Sequence, residues 1–142
     1  MLGAWCVVLG ARFAFAMTAM AKDFTELAAW RLSDELRRFV IEGTARPAAA
    51  RDFKFCNQCK SAARSGPSNI AEGFGRWSHK DFARFLQIAI ASLKEARDLL
   101  IEARESGYIS DEELQWATIL AKRANAACAG LVRYLKDTPD LR

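Results

Sequence analysis

Two cysteines and one histidine are the residues of this sequence whose types could support metal or redox chemistry. Cys56 and Cys59 form a CxxC motif, and His79 is the single histidine. A structural zinc site needs four ligands, and these three residues do not complete one. A redox CxxC is expected after a β-strand, and no strand pattern precedes this one. We therefore interpret the pair as two small thiols on one helical turn, and we expect no metal and no cofactor.

Motifs that support catalysis are also missing from the sequence. It contains no GxxxxGK[ST] phosphate-binding loop, no GxGxxG dinucleotide motif and no GxSxG nucleophile motif. The ExxH motif of di-iron helix bundles is missing as well. These observations favour a protein that binds or scaffolds something over an enzyme.

A polar group within the segment from Arg64 to Arg76 is the strongest candidate for a site. Asn69, Glu72 and Arg76 are spaced i, i+3 and i+7, which places them on one face of a helix. Ser92 and Glu95 have the same i, i+3 spacing further along the chain. Polar side chains beside an apolar stripe need hydrogen-bond partners. We expect these residues to clamp two helices together and not to form a ligand pocket.

Four helices must position these residues. Apolar side chains recur at helical spacing, and in the third and fourth helices they alternate steps of three and four from Phe82 to Ala103 and from Leu114 to Leu135, which is typical of helices that pack in a bundle. The predicted helices cover about residues 23–42, 50–75, 78–106 and 110–137, and Ser78 and Ser110 are the expected caps of the last two. Because the connections are short, consecutive helices should be antiparallel. The sequence therefore predicts an all-α fold, an antiparallel up-down four-helix bundle over residues 22–137, followed by a tail over 138–142.

Several details of these helices are specific enough to test. Gly43 is a plausible end for the first helix. Gly66 and Pro67 lie inside the second, so we predict a kink or a break there. The predicted inward face of the first helix consists of Phe24, Ala28, Leu32, Leu36, Phe39 and Val40. A second apolar row, either a wide buried stripe or a face for another copy, consists of Phe85, Leu99, Trp116, Leu120 and Tyr134.

Residues 1–21 form an apolar leader that contains one charged residue, Arg12. The leader lacks the basic residues that begin a signal peptide. It also contains many Ala, Gly and Thr residues, so it is less apolar than a membrane-spanning helix should be. The sequence from Met20 to Asp23 would make a natural start directly before the first amphipathic helix. We interpret the leader as a start codon assigned too early, or else as a helical or disordered extension. Export or membrane anchoring is the alternative if Met1 is the true start.

Basic residues are concentrated in one quarter of the chain. The net charge of the whole sequence is +4, whereas residues 45–80 alone carry seven basic and two acidic residues, which gives +5. A concentrated positive charge attracts polyanions, although an ordinary solvated face would have the same composition. The candidate phosphate contacts are Arg51, Lys54, Lys60, Arg64, Arg76 and Lys80.

The sequence resembles the bacterial four-helix bundle protein family over about residues 24–135. The similarity is carried by Ser65 to Gly73 (SGPSNIAEG), Arg76, Phe82 to Ala89 (FARFLQIA) and Ser92 to Glu95 (SLKE). The family includes proteins encoded within intervening sequences of large-subunit ribosomal RNA genes. It also includes the accessory variability determinant of diversity-generating retroelements.

The resemblance carries expectations that the residues alone do not give. It implies a ring-like homopentamer and, for the accessory-determinant branch, a basic surface that binds nucleic acid and a reverse transcriptase as partner. The residues that match the family signature are Gln58, Asn69, Glu72, Gly73, Arg76, Ser92 and Glu95. We therefore expect a cytoplasmic, non-enzymatic homo-oligomer that binds RNA or DNA. A scaffold for a protein such as a reverse transcriptase is the alternative.

Overall fold

The computed structural model describes residues 21–140, and that part of the chain is all-α without a β-strand. Four long helices carry the core: α1 (Ala28–Ala45), α2 (Phe53–Phe74), α3 (His79–Glu105) and α4 (Asp111–Asp137). A short 3₁₀ turn, Phe24–Glu26, precedes α1, and the one-turn helix Pro47–Ala50 connects α1 to α2. The predictions on the leader lie outside the described residues. Within residues 21–140, no helix is both long and apolar enough to cross a bilayer.

Serine caps define the starts of α3 and α4 where the sequence predicts them. The Ser78 hydroxyl accepts a hydrogen bond from the backbone N–H of Asp81. Ser110 and Glu113 form a reciprocal capping box at the start of α4. The observed bounds of both helices therefore agree with the predicted ones to within one residue.

The core is the shared interior of the four helices. α1 and α3 each pack extensively against both α2 and α4. Every residue of the predicted α3 stripe is buried: Phe82, Leu86, Ala89, Leu93, Ala96, Leu100 and Ala103. The predicted α4 stripe is also buried, apart from Leu114, which is partly exposed. Heptad spacing thus identified the inward faces of these two helices.

The inward face of α1 differs from the prediction at its start. Ala28 is exposed, whereas Ala29 and Ser33 are buried. The prediction extended one helical period back to Phe24, but the 3₁₀ turn and the extended residue Leu27 separate Phe24 from α1. Within α1, each step of four residues advances about 40° around the helix, so the row Leu36, Leu32, Ala28 drifts away from the buried face. Leu32 is accordingly only partly buried, as is Phe39.

Proline, not glycine, determines where α1 ends. The prediction that Gly43 stops the helix is wrong, because α1 continues to Ala45. The Thr44 hydroxyl bonds back to the Val40 carbonyl oxygen at 2.8 Å. Pro47 disfavours the helical conformation at Arg46, which adopts φ −67° and ψ 146°. Pro47 then supplies the first residue of the next helix, a position that tolerates its missing N–H.

α2 runs without interruption through Pro67, so the helix does not break there. Proline inside a helix removes one hydrogen bond and costs about 3 kcal/mol. Burial compensates for this cost, because Gly66, Pro67 and Ala63 all lie in the interior. A bend without a break at this position stays a prediction.

One part of the second apolar row is a wide buried stripe, and the other part is exposed, as a face for another copy would be. Phe85, Leu99 and Leu120 are buried, so they widen the buried stripes of this subunit. Trp116 remains 44% exposed, although its ring packs against Phe39 with the centroids 5.2 Å apart. Ile119, one turn further along α4, is 54% exposed. The exposed part of the row is therefore on α4.

Candidate functional site

A hydrogen-bond network joins α2 to α3 at the centre of the signature. The Asn69 side-chain amide donates to the Ser65 carbonyl oxygen at 2.7 Å and to the Ser65 hydroxyl at 3.0 Å. The Ser65 and Ser92 hydroxyls are 2.8 Å apart. The Ser92 hydroxyl also lies 3.0 Å from the Ile88 carbonyl oxygen. Asn69 and Ser92 thus belong to a clamp, as predicted, with Ser65 between them.

Ser65 was missing from the predicted site, although its spacing from Asn69 indicates that the two side chains meet. It precedes Asn69 by four residues, the spacing at which two side chains on one helix meet. The partner on α3 is also informative, since Ser92 is buried and needs a hydrogen-bond partner.

The other signature residues do not enter the clamp. Glu72 forms an ion pair with Arg76 at the end of α2. The Arg76 guanidinium also lies over the Phe85 ring, 4.7 Å from its centroid. Gln58 and Glu95 are exposed and have no hydrogen bond or ion pair with the described residues. The structure therefore separates the predicted polar group into a clamp, an end pair and two surface residues.

Gly73 allows the closest approach between α2 and α3. A Cβ atom at this position would lie 2.7 Å from Phe82 Cδ2 and 2.7 Å from Phe85 Cβ. Both contacts are too short for carbon atoms, so any larger residue would push the helices apart. Phe74 packs beside this contact, with its ring edge-on to Phe82. We call Gly73, Phe74, Phe82 and Phe85 the signature end.

The predicted cationic residues follow α2 and its two ends. Arg51, Lys54, Arg64 and Lys80 are exposed, and Lys60 is partly exposed. No acidic group among residues 21–140 forms an ion pair with any of these five. Arg76, the sixth candidate, is already held by Glu72 and Phe85. Five of the six candidate side chains therefore carry a positive charge that no described acidic group pairs with.

A comparison with protein families identifies the family of this chain. The model of the 23S rRNA-intervening sequence protein family matches residues 25–128. The chain belongs to this family. The match confirms the resemblance inferred from the SNIAEG segment and its downstream residues, and it includes all of α1, α2 and α3. A comparison with curated proteins finds no match.

The thiols of this family member lie in the interior. Burial raises the pKa of the Cys59 thiol to about 12, with the nearby Cys56 as a second cause. Burial likewise raises the pKa of Cys128 to about 12. The Cys56 thiol lies 3.2 Å from the Ala49 carbonyl oxygen as a hydrogen-bond donor. Protonated thiols are poor nucleophiles and poor metal ligands, and residues 21–140 contain no group of three metal-binding side chains.

The histidine of this family member holds the end of the chain. The His79 backbone N–H donates to Asp140 Oδ1 at 2.7 Å, and its ring Nδ1 lies 2.8 Å from the Thr138 carbonyl oxygen. His79 also lies against the Tyr134 ring. It is therefore remote from Cys56 and Cys59, which lie near the start of α2, and the three residues are not brought together.

At the opposite end of the helices, a small apolar recess opens partly to solvent. Residues that line it include Gly43, Phe55, Leu100, Ala103, Tyr108 and Ile109. We call these residues the cavity end. Two polar links connect helices there: Tyr108 donates to Asp52 at 3.0 Å, and Arg46 pairs with Glu113 at 2.7 Å. Neither link leaves a local signal in the sequence, because the partners are far apart in the chain.

Proposed function

We propose that this member of the 23S rRNA-intervening sequence family binds nucleic acid, RNA foremost, and is not an enzyme. The observation that carries the proposal is the set of exposed cations along α2 and its ends that have no acidic partner. A cation without a protein partner can neutralise a phosphate without first losing an ion pair.

The charge of α2 supports this choice of surface. Its 22 residues contain three basic residues, Lys54, Lys60 and Arg64, and one acidic residue, Glu72. The pairing of Glu72 with Arg76 neutralises that single acid. The exposed side of α2 therefore presents cations that form no ion pair with a described residue, an arrangement that attracts a polyanion.

The state of the thiols supports a role in binding and not in catalysis. A pKa of about 12 keeps Cys59 and Cys128 protonated at neutral pH. Cys59 and Cys128 therefore lack the thiolate that nucleophilic or redox chemistry would need.

For the architecture, we propose the antiparallel up-down order of the four helices. The support comes from contacts between opposite ends of packed helices. Phe55, near the start of α2, packs against Tyr108, just after the end of α3, with the ring centroids 5.4 Å apart. Arg46, just after α1, pairs with Glu113 in the first turn of α4. Neighbours that run in opposite directions produce such contacts.

We also propose self-association through the outer face of α4. Trp116 and Ile119 are large apolar side chains that remain about half exposed, and an exposed apolar patch of this kind favours a protein interface. The resemblance implies a pentamer. Mass in solution, measured by light scattering, tests the subunit number, and a monomer would contradict this part of the proposal.

The binding proposal is tested by fluorescence anisotropy with labelled RNA and DNA oligonucleotides of mixed sequence. We expect affinity to fall steeply with salt. The triple variant Lys54→Gln, Lys60→Gln, Arg64→Gln should reduce the slope of log K against log salt by about 2, since each phosphate contact on a single strand contributes about 0.7.

A matched control keeps the change in net charge the same. The variant Lys122→Gln, Arg123→Gln, Lys136→Gln removes three cations from α4, where none has an ion pair with a described residue. It should bind nearly as the unchanged chain does. Equal losses in the two variants would exclude α2 as the surface. No salt-sensitive binding to any oligonucleotide would reject the function and favour a protein partner such as a reverse transcriptase.

A further inference from the structure

Two exposed aromatic rings lie at the ends of the cationic surface of α2. Phe53, the first residue of α2, is 75% exposed, and Trp77, in the turn after α2, is 101% exposed. Each ring has basic neighbours in the chain: Arg51 and Lys54 around Phe53, and Arg76 and Lys80 around Trp77. Rings of this size are normally buried, so their exposure together with cations needs an explanation.

The ring of Phe53 and the central cations share one side of α2. Lys60 follows Phe53 by seven residues, and Arg64 follows Lys60 by four, so the three side chains project from the same face. The 22 residues of α2 span about 33 Å at 1.5 Å per residue. Phe53, Lys60 and Arg64 therefore form a cationic track with a ring at its start, and Trp77 adds a second exposed ring in the turn that follows α2.

We infer that this track binds single-stranded nucleic acid, with unpaired bases stacked on Phe53 and Trp77 and phosphates at Lys60 and Arg64. This inference rests on the proposed function and specifies its ligand. Duplex bases are stacked on one another and offer no free face to a protein ring, whereas the bases of a single strand do. The combination of a cationic track with stacking rings is what sequence-tolerant binding to single strands requires.

The experiment compares single-stranded and duplex RNA, each 12 nucleotides long, by anisotropy with the full chain. Trp77→Ala and Phe53→Ala should each weaken binding to the single strand on the order of tenfold, the loss expected for one stacked base. Binding to the duplex should change less than twofold, and so should the salt slope. Trp77→Phe keeps a ring and should recover most of the affinity.

Ile101→Ala is the matched control, because it removes another exposed apolar side chain, 38% exposed, from a different helix that carries neither the proposed track nor the proposed self-association face. It should leave binding to the single strand unchanged. If the unchanged chain binds RNA with salt sensitivity but Phe53→Ala and Trp77→Ala bind single strands normally, the inference is overturned and the proposed function stands. Equal binding to duplex and single strand would also overturn it.

A second arm uses vesicles of phosphatidylglycerol, since tryptophan beside cations also suits an anionic lipid surface. Co-sedimentation that depends on Trp77, without binding to either RNA, would overturn both the inference and the proposed function. Failure to bind vesicles, together with the selective loss for single strands, is the result we expect.

Discussion

Two glycines in the interior of this protein lie in opposite surroundings. At the signature end, a Cβ atom on Gly73 would lie 2.7 Å from two phenylalanine atoms. At the cavity end, a Cβ atom on Gly43 would find Ile109 Cγ2 as its nearest neighbour, at 4.0 Å. Both residues are buried within helices, so the residue type alone does not distinguish them. Local packing decides which glycine the fold requires.

The two ends also differ in how their helices are connected. Close side-chain packing at Gly73 and the partly buried hydrogen-bond network that begins about two turns earlier, at Ser65, connect α2 to α3. The cavity end has an apolar recess and relies on partly exposed links at its rim, such as Arg46 with Glu113. We therefore expect the signature end to be sensitive to changes in volume, and the cavity end to accept added volume and to respond to pH.

The largest expected effect is that of Gly73→Ala. The new methyl group has no space, so the free energy of unfolding should fall by about 2–3 kcal/mol, as is usual for an overpacked core. Urea denaturation followed by circular dichroism measures the loss. Gly75→Ala is the control, because a Cβ atom there would have ordinary contacts, 3.5 Å from the Glu72 carbonyl oxygen and 4.0 Å from the Ala71 carbonyl oxygen. A stable Gly73→Ala variant would remove the distinction between the two ends.

The clamp should contribute the next largest effect. Ser92→Ala leaves the Ser65 hydroxyl without its partner on α3, and we expect a loss of about 1 kcal/mol in unfolding free energy. Ser65→Ala and the double variant complete a mutant cycle, in which a coupling energy near zero would show that the two hydroxyls act independently. Ser61→Ala, an exposed serine on the same helix, serves as the control.

Gly43→Ala should stabilise the protein by about 0.5–1 kcal/mol. Alanine has the higher helix propensity, and its methyl group would occupy part of the recess. Gly130→Ala in α4 provides the comparison, since a Cβ atom there would meet only the Arg133 side chain, at 3.8 Å. Thermal melts of both variants separate two contributions to stability. Gly130→Ala reports the gain from helix propensity, and any further gain in Gly43→Ala comes from filling the recess. A destabilised Gly43→Ala would mean that the recess must stay empty.

The smallest expected effect concerns pH at the cavity end. Hydrogen bonding to Arg46 lowers the pKa of Glu113 below its ordinary value of 4.5, so the stability from this pair is present above pH 4.5 and is lost as the pH falls through the lowered pKa. Because both side chains are partly exposed, we expect only about 0.5 kcal/mol. Glu113→Gln should flatten this part of the acid limb of a stability–pH curve, while glutamine preserves the capping box with Ser110.

The sequence predicted the fold best where local signals and packing agree. Ser78 and Ser110 fixed the starts of α3 and α4, and heptad spacing fixed their buried faces. It was wrong at Gly43, because Pro47 determines where α1 ends. It was also wrong at Ala28, because a row of four-residue steps drifts around the helix and leaves the buried face. The family assignment followed from the SNIAEG segment and is confirmed by the match to residues 25–128.

The candidate site was predictable in part. Asn69 and Ser92 lie near one another as expected, since polar groups next to a buried stripe must pair. Glu95 was placed with them by spacing alone, and the structure leaves it at the surface. Trp77 gave no periodic signal because it lies in a turn, and only its exposure in the structure draws attention to it. Links such as Asp52 with Tyr108 join residues 56 positions apart, which no local pattern can reveal.

The buried thiols can report how often the regions around them open to solvent. Cys59 lines the recess and Cys128 lies in the core of α4, and each is shielded from solvent in the native state. In a Cys6→Ser background, the rate at which a thiol reagent modifies each site measures how often that region exposes it. Mass spectrometry of the labelled peptides would therefore give separate opening rates for the recess and the core without any engineered probe.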